Sequence, residues 1–206
     1  MYYLRRVSTR RQIPEWHSRG YVPHWERDDV AQSITFRLYD SIPQDVYSQL
    51  AIELASLPES ARALERRRRI EEALDLNLGA RHLEHPEIAG LVERSLLYFD
   101  GNRYRLHAWV VMPTHVHVVL SLGANVTLGS IVHSWKSFSA KAANGLLGRT
   151  GPFWLGEYFD RAIRDELHFA AAVDYTEMNP VKARLCVEKS EWPWSSAAPR
   201  WAGSRR

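Results

Sequence analysis

The chain has 206 residues, 45% of them hydrophobic and 25% charged, which supports one sizeable core and excludes a disordered chain. Net charge is only +3, but four of the 27 basic residues are lysines (Lys136, Lys141, Lys182, Lys189) and the rest are arginines. Arginine grips phosphate bidentately and stacks on bases, which points towards nucleic acid, although GC-rich coding explains part of the bias. Eight Trp and nine Tyr are either stacking surfaces or core. The single cysteine, Cys186, excludes an internal disulfide or a cysteine-rich zinc site and fits a reducing compartment. With no signal-like segment and no apolar run of about 18 residues, a cytoplasmic protein without membrane contact is expected.

Residues 1–30 are basic and aromatic, with Arg10, Arg11, Trp16 and Trp25, and Pro14, Gly20 and Pro23 predict an irregular arm. Such an arm either contacts nucleic acid or is a solvated tail. Residues 32–38 alternate as a strand, and Pro43 opens a helix over 44–56 with Val46, Leu50 and Leu54 on one side. Residues 59–75, including Arg66-Arg67-Arg68-Arg69, predict an exposed salt-bridged helix whose arginines are a solvated face or a phosphate patch. A loop follows over 77–85, then a helix from Pro86 to about Phe99. Strands are predicted over 103–112 and 115–122, then a helix over 128–147 capped by Thr127 and a strand over 153–164. Asp165 caps a last helix, expected to stop near Met178 before Asn179-Pro180, and the Trp-rich tail starts near 187. No repeat or linker is evident, so 1–206 reads as one domain with a mobile arm and tail.

The chain is organised around LHAWVVMPTHVHVVLSL, residues 106–122. His115 and His117 alternate with Val116 and Val118, so the two imidazoles share one face of a strand. They are either polar residues on a wet sheet face or two ligands for one metal ion, given a third from another element. Their position inside a very apolar strand favours the ligands. Tyr175 and Asn179 are one turn apart on a helix. A phenol with an ordinary pKa of about 10 needs help to attack phosphorus, and an ion held by a neighbouring amide oxygen gives it. Alone, this pair is equally a half-buried Tyr and a helix-ending Asn.

Together, AWVVMPTHVHVVL, GPFWLGEYFDRAIRDELHF and VDYTEMNPVKARL resemble the REP-associated tyrosine transposases, single-tyrosine members of the HUH endonucleases. GYVPHW and ITFRLYDSIP look like the opening of such proteins, and the resemblance is weakest over 59–85. It implies an α/β (α+β) fold, a ferredoxin-like sandwich with a central antiparallel sheet and helices on one face. It places metal binding on His115, His117 and Asn179, with Mg²⁺ or Mn²⁺ as the ion, and the nucleophile on Tyr175. The family usually has Asn where this chain has Thr114, a departure in the turn and not in a ligand. Tyr158 matches a position often held by another aromatic and reads as structural.

The implied reaction is cleavage and rejoining of single-stranded DNA at repetitive extragenic palindromes, through a 5′-phosphotyrosine. The expected partner is hairpin DNA, bound by a monomer or homodimer associated with the nucleoid. Arg10, Arg11, Lys136, Lys141, Arg161, Arg164 and Lys182 are candidates for phosphate contacts. Trp16, Trp25, Trp192 and Trp194 are candidates for stacking unpaired bases. A hairpin-binding protein without productive transposition, and a metal-dependent hydrolase that uses water, are the alternatives.

Overall fold

The structure is a computed structural model that describes residues 30–201, together with the backbone of 16–18 and 23–25. Four strands form one antiparallel sheet in the order β4-β5-β3-β6: β3 (Ala31–Arg37), β4 (Tyr104–Val111), β5 (His115–Leu122) and β6 (Phe159–Ala162). Helix α3 (Pro86–Leu97) links β3 to β4, and α4 (Leu128–Leu146) links β5 to β6. This is the βαββαβ order of a ferredoxin-like sandwich, with the last strand beside the first.

Alternation in the strands assigns the faces. Ile34, Phe36, Val116, Val118, Leu120, Trp109 and Val111 point to one side, where Ile88, Val92 and Leu96 of α3 and Ile131, Val132 and Trp135 of α4 cover them. The polar tips of the aromatics are satisfied inside this core. Trp135 donates to the Tyr104 hydroxyl at 2.9 Å, which donates to the Leu96 carbonyl at 2.6 Å.

The opposite face carries the histidines. Here α5 (Glu166–Lys182) packs Phe169, Ala172 and Val173 on Ala108, Val119 and Ile163. At the β6 end of the same face lies a helical hairpin, α1 (Gln44–Ala55) and α2 (Glu59–Asp75). Its Ile70, Ala73 and Leu74 pack with Ile42, Val46, Tyr47, Leu50 and Phe159. The antiparallel sandwich is as expected, with α3 and α4 on one face. The helix that bears Tyr175 lies over the other.

Four local expectations are corrected. Part of the N-terminal arm is a short antiparallel hairpin, β1 (Trp16–Ser18) and β2 (Pro23–Trp25), rather than irregular throughout. The strand expected over 153–164 is only β6, because Phe153 and Trp154 turn into the core and only an isolated bridge joins Trp154 to Leu38. Helix α5 does not stop before Asn179-Pro180 but runs through it to Lys182. Proline so near a helix end removes one backbone bond and little else. Lastly, the tail is docked as far as Trp201. Val111 donates its N–H to the Trp194 carbonyl at 2.8 Å and Ser196 donates to Trp109 at 2.9 Å, so the tail pairs with part of the outer edge of β4.

Candidate active site

His115 and His117 open the central strand β5, opposite Arg37 and Thr35 of β3. Both are buried, and their Nε2 atoms lie 3.0 Å apart with the rings edge to face. Each Nδ1 has a hydroxyl partner at 2.9 Å: Thr114 for His115 and Thr35 for His117. The two-residue turn Pro113-Thr114 is closed by the Met112 N–H on the His115 carbonyl at 2.8 Å, which delivers the Thr114 hydroxyl to the ring beside it.

Helix α5 places Tyr175 against this pair. Its ring meets that of His117 nearly perpendicularly, with centroids 5.7 Å apart. The Lys182 ammonium lies 4.2 Å from the Tyr175 ring centroid. Asn179 is wholly buried, and its Nδ2 donates to the Tyr175 carbonyl at 2.9 Å. That bond orients the amide and leaves Oδ1, among the described residues, a buried acceptor without a donor.

Burial dominates the electrostatics. It drives His115 well below the ordinary imidazole range, with His117 and Arg37 adding to the effect. It takes His117 down to about 3, with help from Arg67 and Lys182. Both rings are therefore neutral, the form that offers a lone pair to a metal. Burial, then the carboxylates of Asp75 and Glu71, push Tyr175 up to about 12. Asp75 is itself raised to about 6, by burial and then Glu71.

These last groups belong to α2, whose place beside the site has no local signal in the chain. Arg67, Glu71 and Asp75 lie at fourfold spacing, and the Arg67 Nη1 donates to the Asp160 carbonyl at 3.3 Å. Much of the arginine run is engaged in ion pairs: Arg67 with Glu71, Arg68 with Glu65 and Glu72, Arg69 with Glu65 and Glu53. Arg66 donates to the Tyr47 hydroxyl at 2.7 Å. Arg37, beside His115 in register, also belongs to the site; it is buried and donates to Ser41 at 2.8 Å.

Two neutral imidazole nitrogens and an amide oxygen are a donor set that would suit Mn²⁺ well and Mg²⁺ acceptably. Among the described residues no three His, Cys, Asp or Glu side chains converge as a metal cage. The buried, unpartnered Oδ1 of Asn179 is a neutral oxygen of the kind such a site lacks.

The other expected DNA-contacting residues divide by face. Lys182 and Arg161 are exposed and lie on the side of the histidines, Arg161 in register with Ser33. Arg164 is exposed just before α5. Lys136 and Lys141 are on α4, across the sheet. Lys136 donates to the carbonyls of Leu155 and Gly156, the latter at 2.7 Å, which ties down a loop, while Lys141 is exposed. Arg10 and Arg11, and the side chains of Trp16 and Trp25, lie outside the described residues. Trp194 packs against the main core and Trp192 donates to the Val111 carbonyl at 3.0 Å, so both have structural tasks. Tyr158 is buried in the main core.

No family model matches the chain. The REP-associated tyrosine transposase of Escherichia coli (strain K12) is 26% identical over 93 residues, 45% of this chain and 54% of that protein. The match thus spans about half the length of that relative. The solved structure of a REP-associated tyrosine transposase bound to a REP hairpin superposes with a TM-score of 0.53 at 18% identity. It covers 84% of this chain and 79% of that one. At that identity the likeness is one of fold. Among the described residues no helix is long and apolar enough to cross a membrane. In sequence over part of its length, and in fold over most of it, this chain is similar to the REP-associated tyrosine transposases.

Proposed function

We propose that the chain is a metal-dependent endonuclease and strand transferase acting on single-stranded DNA at hairpins, through a covalent bond to Tyr175. The observation that carries this reading is the Tyr175 ring packed on His117, beside the paired imidazole of His115, with Asn179 one turn further along the same helix. His115, His117 and Asn179 would hold the ion, Mg²⁺ or Mn²⁺. Bound there, it supplies charge that polarises the phosphate and favours the phenolate.

The residues do the rest. The Tyr175 phenol gives up its proton to solvent, its oxygen attacks phosphorus, and the new P–O bond holds the 5′-phosphate of the downstream piece of the strand. The bond to the 3′ oxygen breaks, and that oxygen leaves as a hydroxyl once protonated. Attack by a 3′-hydroxyl reverses the step, so the linkage stores the energy for rejoining and no nucleotide cofactor is called for. Lys182 and Arg161, on the same side, suit the phosphates of the incoming strand. The site lies under α5 and beside α2, where one flexible strand would reach it more readily than a rigid duplex. The solved relative is bound to a REP hairpin, which supports a hairpin substrate here, and with it a place beside chromosomal DNA in the cytoplasm.

The test compares three labelled DNAs at one salt concentration with Mn²⁺: a hairpin with its single-stranded foot, the same hairpin with the foot scrambled, and a perfect duplex. Tight binding and cleavage of the first alone are expected, since phosphate contacts carry no direct sequence information. Equal cleavage of all three contradicts the proposal and favours a non-specific nuclease. Binding without cleavage leaves a hairpin-binding protein.

A further inference from the structure

The hydrogen bonds around the histidines run in one direction, and they start from a residue on the loop after α2. Asn77 is buried and follows α2 in a left-handed backbone conformation, φ 51°. Its Nδ2 donates to the Asp75 carbonyl at 3.0 Å, so the amide orientation is determined and Oδ1 faces the Thr114 hydroxyl at 3.3 Å. An amide oxygen only accepts, so Thr114 gives its single hydrogen to Asn77. The Thr114 oxygen can then only accept from the neighbouring His115 Nδ1, at 2.9 Å. His115 must carry its proton on Nδ1, with a bare lone pair on Nε2. That lone pair faces the Nε2 of His117 at 3.0 Å. Two bare lone pairs at this distance repel, so His117 carries its proton on Nε2. Its Nδ1 therefore accepts from Thr35, at 2.9 Å.

We infer that Asn77 is a positioning residue for the proposed metal site: through Thr114 it presets His115 in the ligand tautomer, while His117 must give up its Nε2 proton when a cation enters. The inference rests on the proposed metal-binding role of the two histidines. A partner one step removed from a ligand fixes the tautomer and ring orientation of an imidazole in this way. The anchor is held firmly. Asn77 donates its backbone N–H to the Leu74 carbonyl at 2.9 Å, and Ala80 donates to Asp40 at 2.9 Å. Between them, Gly79 lies so close to Ser41 that an added Cβ would sit 2.2 Å from its carbonyl carbon. The rearrangement at His117 releases the Nε2 proton to solvent, takes one up at Nδ1, and turns the Thr35 hydroxyl. Thr35 then accepts from Nδ1–H, and Nε2 is freed towards the ion.

The test reads tautomers in the metal-free protein by long-range ¹H–¹⁵N correlation, apart from any activity. Protonated Nδ1 on His115 and protonated Nε2 on His117 are expected, with Nδ1 protonated on both after Mg²⁺ is added. Protonated Nε2 on His115 in the wild type overturns the inference. Asn77→Gly removes the amide yet suits the positive φ, and Asn77→Asp keeps an acceptor oxygen. Asn77→Gly should lose the His115 preference and weaken Mn²⁺ binding by about 10–100-fold, with Asn77→Asp restoring both. An Asn77→Gly protein that keeps the wild-type tautomer and Mn²⁺ affinity also overturns it. Should the wild type bind no divalent ion, the metal reading itself fails; the tautomers still decide the Asn77 relay separately.

Discussion

The Nε2 atoms of His115 and His117 face one another at 3.0 Å inside a dry strand, a contact that two neutral imidazoles tolerate only with a proton or a cation between them. Replacing His117 by Ala removes one of the two nitrogens. Calorimetric titration should show one Mn²⁺ site in the wild type and loss of that site in His117→Ala. Circular dichroism should show the fold retained, since the main core lies on the other face. Unchanged Mn²⁺ affinity would contradict the assignment.

Acid should unfold the metal-free protein earlier than its carboxylates alone dictate. His115 and His117 have folded pKa values below the ordinary 6.5, His117 at about 3. Below pH 6.5 the unfolded chain binds protons that the folded chain refuses, so stability falls as pH falls, by about 1.4 kcal/mol per pH unit for each group. Asp75, raised from 3.8 to about 6, acts in the opposite sense between those values and offsets part of the slope. Denaturant midpoints between pH 7 and 5 should therefore drop, and His117→Gln should flatten the drop. A profile identical in the variant would contradict the buried neutral ring.

Asp75 lies second only to burial among the influences that raise the Tyr175 phenol to about 12. Asp75→Asn deletes that negative charge. The Tyr175 ionisation, followed by the ring carbon resonance of labelled tyrosine in metal-free protein, should move down. An unmoved titration would mean that α2 does not sit against the phenol.

Lys182 and Lys141 carry the same charge on opposite sides of the sheet. Lys182→Ala should weaken hairpin binding and lower the salt dependence by about one counterion, while Lys141→Ala should do neither to a comparable degree. Equal effects would place DNA on the α4 face as well.

How much of this was legible in the chain depends on the range of the signal. The strand over His115–Leu122 and the caps Thr127 and Asp165 follow from alternation and local side-chain-to-backbone bonds, and they stand as read. Tyr175 above His117 followed from the family resemblance, since nothing in the spacing joins residues on β5 to residues on α5. The contribution of α2 was hidden altogether. Its alternating charges read as a solvated surface, and only the tertiary fold shows Glu71 and Asp75 turned towards a phenol. Asn77 read as a loop residue, because its partner Thr114 is 37 positions away. Lys136 reads in sequence as a candidate phosphate contact, and only the loop over 155–156 shows what it holds.

The covalent step is the centre of the account, and one measurement reaches it directly. Wild type and Tyr175→Phe are incubated with Mn²⁺ and a labelled single-stranded hairpin, then resolved on a denaturing gel, and any adduct is digested and mapped by mass spectrometry. The phenylalanine keeps the ring packing against His117 and every cationic contact, so hairpin binding should stay within a few-fold. The account predicts a wild-type adduct on the peptide that contains Tyr175 and none in the variant. An adduct that persists in Tyr175→Phe, or one that maps to Tyr158, would contradict it.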